Sequence, residues 1–367
     1  MKNSNQKRLQ LIPKTKKNFN VIDNFCVTSY IYSAMSVPIH IPGIGIVKEE
    51  YINDFDEEFT GGDGLWQKGK DGVKKILVPH DRKCEFIVFE TKTIVYVRSA
   101  MGQPAMYPLP PARFSPPAEA VLMDLDGTSV KSESFWIWAI EQTTARLLGN
   151  SNFRFHSSDM PFVSGHSVSE HLNYCINKYV PGASLEEARK YYFEIVREEL
   201  AKLNKGAGRA EFFTPAPGLK EFLLTLKQHN IKIALVTSGL YEKAWPEIKT
   251  AFDKLGLGNP LDFYDAIITA GFTFSSQHPG TLGELEPKPH PWLYAEAARI
   301  GLKLDSSRNN RIIGIEDSGA GVVAIRLAGY SVIGISGGNI KTSGLRSLLH
   351  AECESLLDCL PIILGSK

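Results

Sequence analysis

The stretch that decides the fold is AEAVLMDLDGTSV, residues 118–130, in which an apolar run ends at two aspartates separated by one leucine. The run AVLM has the length and composition of a buried strand. In extended chain alternate side chains share a face, so Asp124 and Asp126 point toward one site while Leu125 turns away. Gly127 then permits a tight turn. Two carboxylates placed this way can divide the work at a phosphate: one attacks phosphorus and the other delivers a proton to the departing oxygen. The glycine falls too early for a calcium-binding EF-hand loop.

A carboxylate approaching a phosphate meets a repulsion of about 4 kcal/mol per charge pair at ~4 Å and an effective dielectric near 20, so cations must be supplied. The rest of the chain offers them in order. ALVTSG, residues 234–239, ends a second apolar strand with Thr237, Ser238 and Gly239. Their hydroxyl and N–H groups suit phosphate oxygens without adding negative charge. EPKP, residues 286–289, sets Lys288 between prolines, where a stiffened backbone aims its ammonium. IIGIEDSGAG, residues 312–321, ends a third strand with Glu316 and Asp317, hard oxygen ligands suited to Mg²⁺. From residue 119 onward short apolar strands alternate with helical stretches, the pattern of a parallel sheet covered by helices. Such sheets collect ligands beyond the carboxyl ends of their strands.

In this order DLDGT, TSG, EPKPHP and GIEDSGAG resemble the haloacid dehalogenase (HAD) superfamily, and most of all its β-phosphoglucomutase-like branch, over roughly residues 119–362. The resemblance implies an α/β fold, a Rossmann-like core with a helical cap inserted after the first strand. It implies that Asp124 is a nucleophile that becomes an aspartyl phosphate. Asp126 is then the general acid and base, Thr237 binds the transferring phosphoryl group and Lys288 neutralises it. Asp124, Asp126 (through its carbonyl), Glu316 and Asp317 would hold Mg²⁺, and Gly127, Ser238 and Gly239 would contact the phosphate. Branches whose chemistry does not protonate an alkoxide lack a carboxylate at the position of Asp126, so its presence favours phosphate esters. The activity expected is Mg²⁺-dependent hydrolysis of a small phosphorylated metabolite, a sugar phosphate by preference. A sugar phosphate mutase using the same residues is the alternative, and a catalytically inactive binding protein is the alternative from another class.

Composition divides the chain into a basic tail (1–20), a β-rich accessory domain (21–100), a proline-rich linker (101–118), the core (119–130 and 215–367) and the cap (131–214). The linker is expected because GQPAMYPLPPARFSPPAEA carries six prolines in nineteen residues. FCVTSYIYSAM, residues 25–35, is broken by hydroxyl residues and reads as a strand rather than an export signal. In the cap, SLEEARKYYFEIVREELAKL predicts a helix opened by a capping box from Ser184 to Glu187. By resemblance His166 and Ser167, following Gly165 in FVSGHSVSEH, line the substrate pocket, whereas His171 is read as structural; the spacing to Glu170 misses a zinc motif by one residue. Two departures stand out, Ser129 where relatives carry an apolar residue and Lys131 where they carry an acid. GFTFSSQHPGTLGEL, residues 271–285, is longer than the usual connection, so a substrate-facing loop is expected there.

The 41 basic and 40 acidic residues nearly cancel, which removes the global field that draws proteins to nucleic acid or acidic membranes. Five cysteines, at 26, 84, 175, 353 and 359, form no CxxC pair and read as reduced thiols of a cytoplasmic protein. No apolar run approaches the ~18 residues of a membrane span. Homodimerisation through the amino-terminal domain is expected as one use for that unit.

Overall fold

Short β-rich runs punctuated by Gly and Asp-Gly turns produce antiparallel pairing in the first part of the chain. The computed structural model describes residues 39–98, 104–163, 168–270 and 286–365. Within it Phe55–Glu58 (β1), Lys75–Pro79 (β2), Cys84–Val88 (β3), Thr93–Val97 (β4) and Ala105–Pro108 (β5) form a five-stranded antiparallel sheet in sequence order. Ile39–Ile41 and Gly45–Val47 make a small hairpin beside it. Strand β5 falls inside the stretch expected as a linker. Its Pro108 is tolerated because β5 is an edge strand with a single neighbour, and proline costs no ladder bond on the open side.

The tail, FCVTSYIYSAM, Gly165, His166, Ser167 and the 271–285 loop lie outside the described residues.

The core strands are Ala120–Asp124 (β6), Lys232–Thr237 (β7), Ala266–Thr269 (β8), Ile312–Glu316 (β9), Ser331–Ile335 (β10) and Ala351–Cys353 (β11). They pair in parallel in the order β8-β7-β6-β9-β10-β11, a Rossmann-like arrangement with β6 inside the sheet. Alternation decides which face each residue serves. Val121, Met123, Leu125, Leu235 and Ile315 enter one apolar cluster with residues of Leu219–Gln228 (helix αC) and Tyr241–Leu255 (helix αD). Ala120, Leu122, Val236 and Ile268 enter the other, with residues of Trp292–Glu296 and Gly319–Leu327. Phe86, Val88, Val95 and Val97 of the antiparallel sheet belong to that second cluster, so the accessory sheet and the core share buried surface.

The chain leaves the core at Val130–Lys131 and returns at Thr214–Pro215, and these pieces pair antiparallel as a two-stranded neck. Between them Glu133–Leu148 (helix αA), Val168–Tyr179 and Leu185–Asn204 (helix αB) pack on one another as the cap. Ser184 caps αB by accepting from the Glu187 N–H at 3.1 Å, and the Glu187 carboxylate accepts from Tyr191 at 3.0 Å. Ala188, Tyr192, Val196 and Leu200 form the buried stripe of αB.

Candidate active site

The register of the central strands brings the motifs together. Asp124 is level with Val236 across β6 and β7, and Met123 is level with Ile315 across β6 and β9. Thr237 and Glu316 therefore end the two strands flanking Asp124. Leu125 is fully buried in the apolar cluster, as strand alternation requires.

Lys288 reaches this point from the 286–291 loop. Its ammonium donates to Asp124 and, at 2.6 Å, to Glu316. Glu316 also accepts from Tyr294 Oη at 2.6 Å and from Ser318 N–H and Oγ at 3.1 and 2.9 Å. Although burial opposes it, the two carboxylates hold the ammonium above its ordinary pKa. Burial, and then the charge of Glu316, push the Asp124 carboxyl well above the usual carboxylate range, and Lys288 offsets only part of this. The same two causes push Asp317 up to about 7 against the pull of Lys131 and Lys288. Lys288 alone thus leaves these acids short of positive charge.

One ligand oxygen from each of Asp124, Glu316 and Asp317 lies within 4.8 Å of the others. An all-oxygen set with unbalanced negative charge fits a hard divalent cation. Three glycines let backbone close on these acids. A Cβ on Gly127, whose φ is +83°, would stand 2.0 Å from Asp317 Oδ2, and one on Gly338 would stand 2.0 Å from the Asp317 carbonyl oxygen. On Gly321 it would stand 1.8 Å from Glu316 Oε1.

Asp126 lies in a different setting. Its carboxylate accepts from Ser132 Oγ at 3.0 Å, Trp136 Nε1 at 3.2 Å, Lys243 Nζ at 3.3 Å and Thr237 Oγ1 at 3.3 Å. Burial alone would raise its pKa, but Lys243 and the Ser132 hydroxyl more than offset that and hold it below its ordinary value. Lys243 lies 3.9 Å from the Trp136 ring centroid, a cation–π contact. Burial works against the Lys243 charge, but Asp126 and then Glu247, fully buried one helical turn further along αD, keep its pKa raised. Two neighbouring carboxyls are thus pushed apart in proton affinity, the condition for separate roles.

The remaining expected residues are placed as follows. Ser238 Oγ accepts from the Lys288 N–H at 3.1 Å and so ties the two loops to each other, whereas the Gly239 N–H donates to Thr237 Oγ1 at 2.9 Å within the turn that ends β7. Ser129 donates to the Asp124 carbonyl at 2.6 Å from a fully buried position, which accounts for a hydroxyl where an apolar residue is usual. Lys131 is exposed and donates to the Gly127 carbonyl. His171 is buried. Ser132, Trp136, Lys243, Glu247 and Tyr294 were not foreseen. Lys243 carries a faint signal, a cation on the first turn of the helix that follows TSG; the others carry none.

Residues 118–329 match the family described as haloacid dehalogenase-like hydrolase. The chain belongs to that family. No curated protein matches the sequence. Solved structures to which the chain is similar include CbbY from Rhodobacter sphaeroides in complex with phosphate, at 18% identity over 66% of this chain and 96% of that one, with a TM-score of 0.48. A candidate β-phosphoglucomutase from Thermotoga maritima is 21% identical over 67% of this chain and 100% of its own, TM-score 0.49. A predicted phosphoglycolate phosphatase from Haemophilus somnus 129pt is 19% identical over 67% of this chain and 98% of its own, TM-score 0.49. The matched HAD region begins after the antiparallel sheet, which is an addition to the family core. Among the described residues no helix is long and apolar enough to cross a membrane, and the four described cysteines are free thiols.

Proposed function

We propose that this HAD hydrolase is a Mg²⁺-dependent phosphatase of a small phosphorylated metabolite, a sugar phosphate by preference, working through an aspartyl phosphate on Asp124. The observation that carries the reading is the pairing at the strand ends: Asp124 ion-paired to Lys288 inside an acidic cluster, and Asp126 held apart in its own cage of donors. An oxygen of Asp124 attacks phosphorus while the ester O–P bond breaks and Asp126 protonates the leaving oxygen. Water, losing a proton to Asp126, then attacks the acyl phosphate, releasing phosphate and restoring the Asp124 carboxylate. Its lowered pKa makes Asp126 the carboxylate at the outset. Arrival of a phosphate dianion raises its proton affinity by like-charge repulsion, the direction that acid chemistry needs. Lys288 would offset the charge that builds on the phosphoryl oxygens, and the Thr237 hydroxyl would turn from Asp126 to donate to them.

Mg²⁺ held by Asp124, Asp317, Glu316 and the Asp126 carbonyl would supply the positive charge that Lys288 leaves wanting. Of the three carboxylates Asp317 is the freest, since Glu316 already receives four hydrogen bonds. The helical cap supports a small substrate, because closure over the strand ends excludes water and large partners alike.

The test incubates wild type and Asp124→Asn with Mg²⁺ and a panel of phosphorylated metabolites, following inorganic phosphate and isomerised sugar phosphate. Phosphate release by wild type alone is expected, with the variant down at least about 10³-fold. Isomer formation without net release would assign a mutase instead, and absence of turnover on every substrate would overturn the enzymatic reading.

A further inference from the structure

The loop that carries Lys288 is gripped from outside the HAD core. Pro287, Pro289 and Pro291 leave it few N–H groups with which to anchor itself. The Lys288 N–H goes to Ser238 Oγ at 3.1 Å, and the His290 N–H turns back onto the Pro287 carbonyl at 3.1 Å. A further polar anchor runs to the accessory sheet: Tyr107 on edge strand β5 meets His290 Nδ1 through its hydroxyl at 2.8 Å. The His290 side chain is 2% exposed, so this hydrogen bond is screened from water. His290 Nε2 faces the Glu286 carboxylate at 3.9 Å, which favours the tautomer with the proton on Nε2 and leaves Nδ1 to accept from Tyr107. The Tyr107 ring also meets the His290 and Trp292 rings edge-on, each with centroids 5.8 Å apart, so it touches the loop on both sides of Pro291.

We propose that Tyr107 is a positioning residue for Lys288, so that the amino-terminal sheet sets the geometry of the catalytic lysine of the hydrolase core. The inference rests on the role proposed above for Lys288. Only Pro289 separates His290 from Lys288, and the Lys288 ammonium must bridge Asp124 and Glu316 at once. A shift of the loop that a solvated lysine would absorb breaks this bridge. Tyr107 precedes the matched family region, so this constraint is one the core does not supply by itself.

The test uses the full chain with Tyr107→Phe, which keeps the ring and removes the hydroxyl, and with His290→Asn as a second variant. Turnover of whichever phosphate ester the wild type hydrolyses is expected to lose about fivefold in kcat, the worth of one buried hydrogen bond, with KM within twofold. Acetylation of Lys288 by an amine-reactive ester, followed by mass spectrometry without substrate, is expected to quicken at least threefold in both variants. Asp54→Asn weakens the pair with Arg346 elsewhere on the contact between sheet and core, and it should change neither quantity. Because the labelling needs no turnover, a wild type that hydrolyses nothing counts against the proposed function alone. Lys288 labelling unchanged in both variants, or changed equally by Asp54→Asn, would overturn this inference.

Discussion

Asp124 and Asp126 are two positions apart, yet their surroundings push them in opposite directions. Asp124 sits among carboxylates and Asp126 among donors, and each consequence can be measured. Asp126→Asn should lose about 10² to 10⁴ in kcat/KM on an alkyl phosphate. It should lose at least tenfold less on p-nitrophenyl phosphate, whose leaving group needs little protonation; equal losses on both esters would remove Asp126 from the acid role. The acidic cluster also links pH to stability. Asp124 and Asp317 have folded pKa values raised above the ~3.9 of an unfolded aspartate. Their stabilising contribution is therefore full below about pH 4 and is lost as pH climbs through the folded value, about 7 for Asp317. Metal-free protein should melt at lower temperature at pH 8 than at pH 5.5, and MgCl₂ should raise the melting temperature more at pH 8. The same gain at both pH values would show that these acids do not hold the cation.

At the scale of the element, the cap is held by a buried charge rather than by apolar packing alone. Asp159, fully buried, accepts from Tyr174 at 2.6 Å, Lys178 at 2.5 Å, Tyr179 at 2.6 Å and the His156 N–H at 2.7 Å. Burial alone would raise its pKa, but these donors, Lys178 first, bring it well below the ordinary aspartate value. Its contribution is present above the unfolded pKa and fades as pH falls through the folded one. Asp159→Ala is expected to cost about 3 kcal/mol at pH 7 in denaturant unfolding, because the Tyr and Lys donors lose their acceptor. The gap from wild type should narrow as pH drops toward 3, and a gap independent of pH would mean that packing accounts for the loss. Helix αB itself was readable in advance, since Ser184 and the stripe through Ala188 and Tyr192 are local signals. The Asp159 anchor was not, because its donors Lys178 and Tyr179 come 19 and 20 positions later.

For the molecule as a whole, the accessory sheet and the HAD core share one apolar cluster and a partly buried ion pair, Asp54 with Arg346 at 3.0 Å. A Cβ on Gly344 would stand 2.1 Å from the Asp54 carbonyl oxygen, so the contact extends to bare backbone. The two parts should therefore unfold together. Phe86→Ala, in the centre of the antiparallel sheet, is expected to cost about 3 to 5 kcal/mol and to lower a single calorimetric transition. A separate, unshifted core transition would show that the sheet is merely appended.

The amino-acid sequence by itself determined the parallel core and the order of its motifs, because each acid, hydroxyl or lysine follows directly on an apolar strand or a proline-stiffened loop. Those signals are local: strand alternation turns Asp124 and Asp126 away from Leu125 wherever the strand happens to lie. The tertiary structure alone decided which strands are neighbours, that Lys243 lies against Asp126 from 117 positions away, and that Tyr107 meets His290 from 183. It also placed Ala105–Pro108, near the start of the proline-rich stretch, on the edge of a sheet. Such pairings depend on the energy of packing surfaces against one another, and a side chain's local neighbours carry no record of that energy.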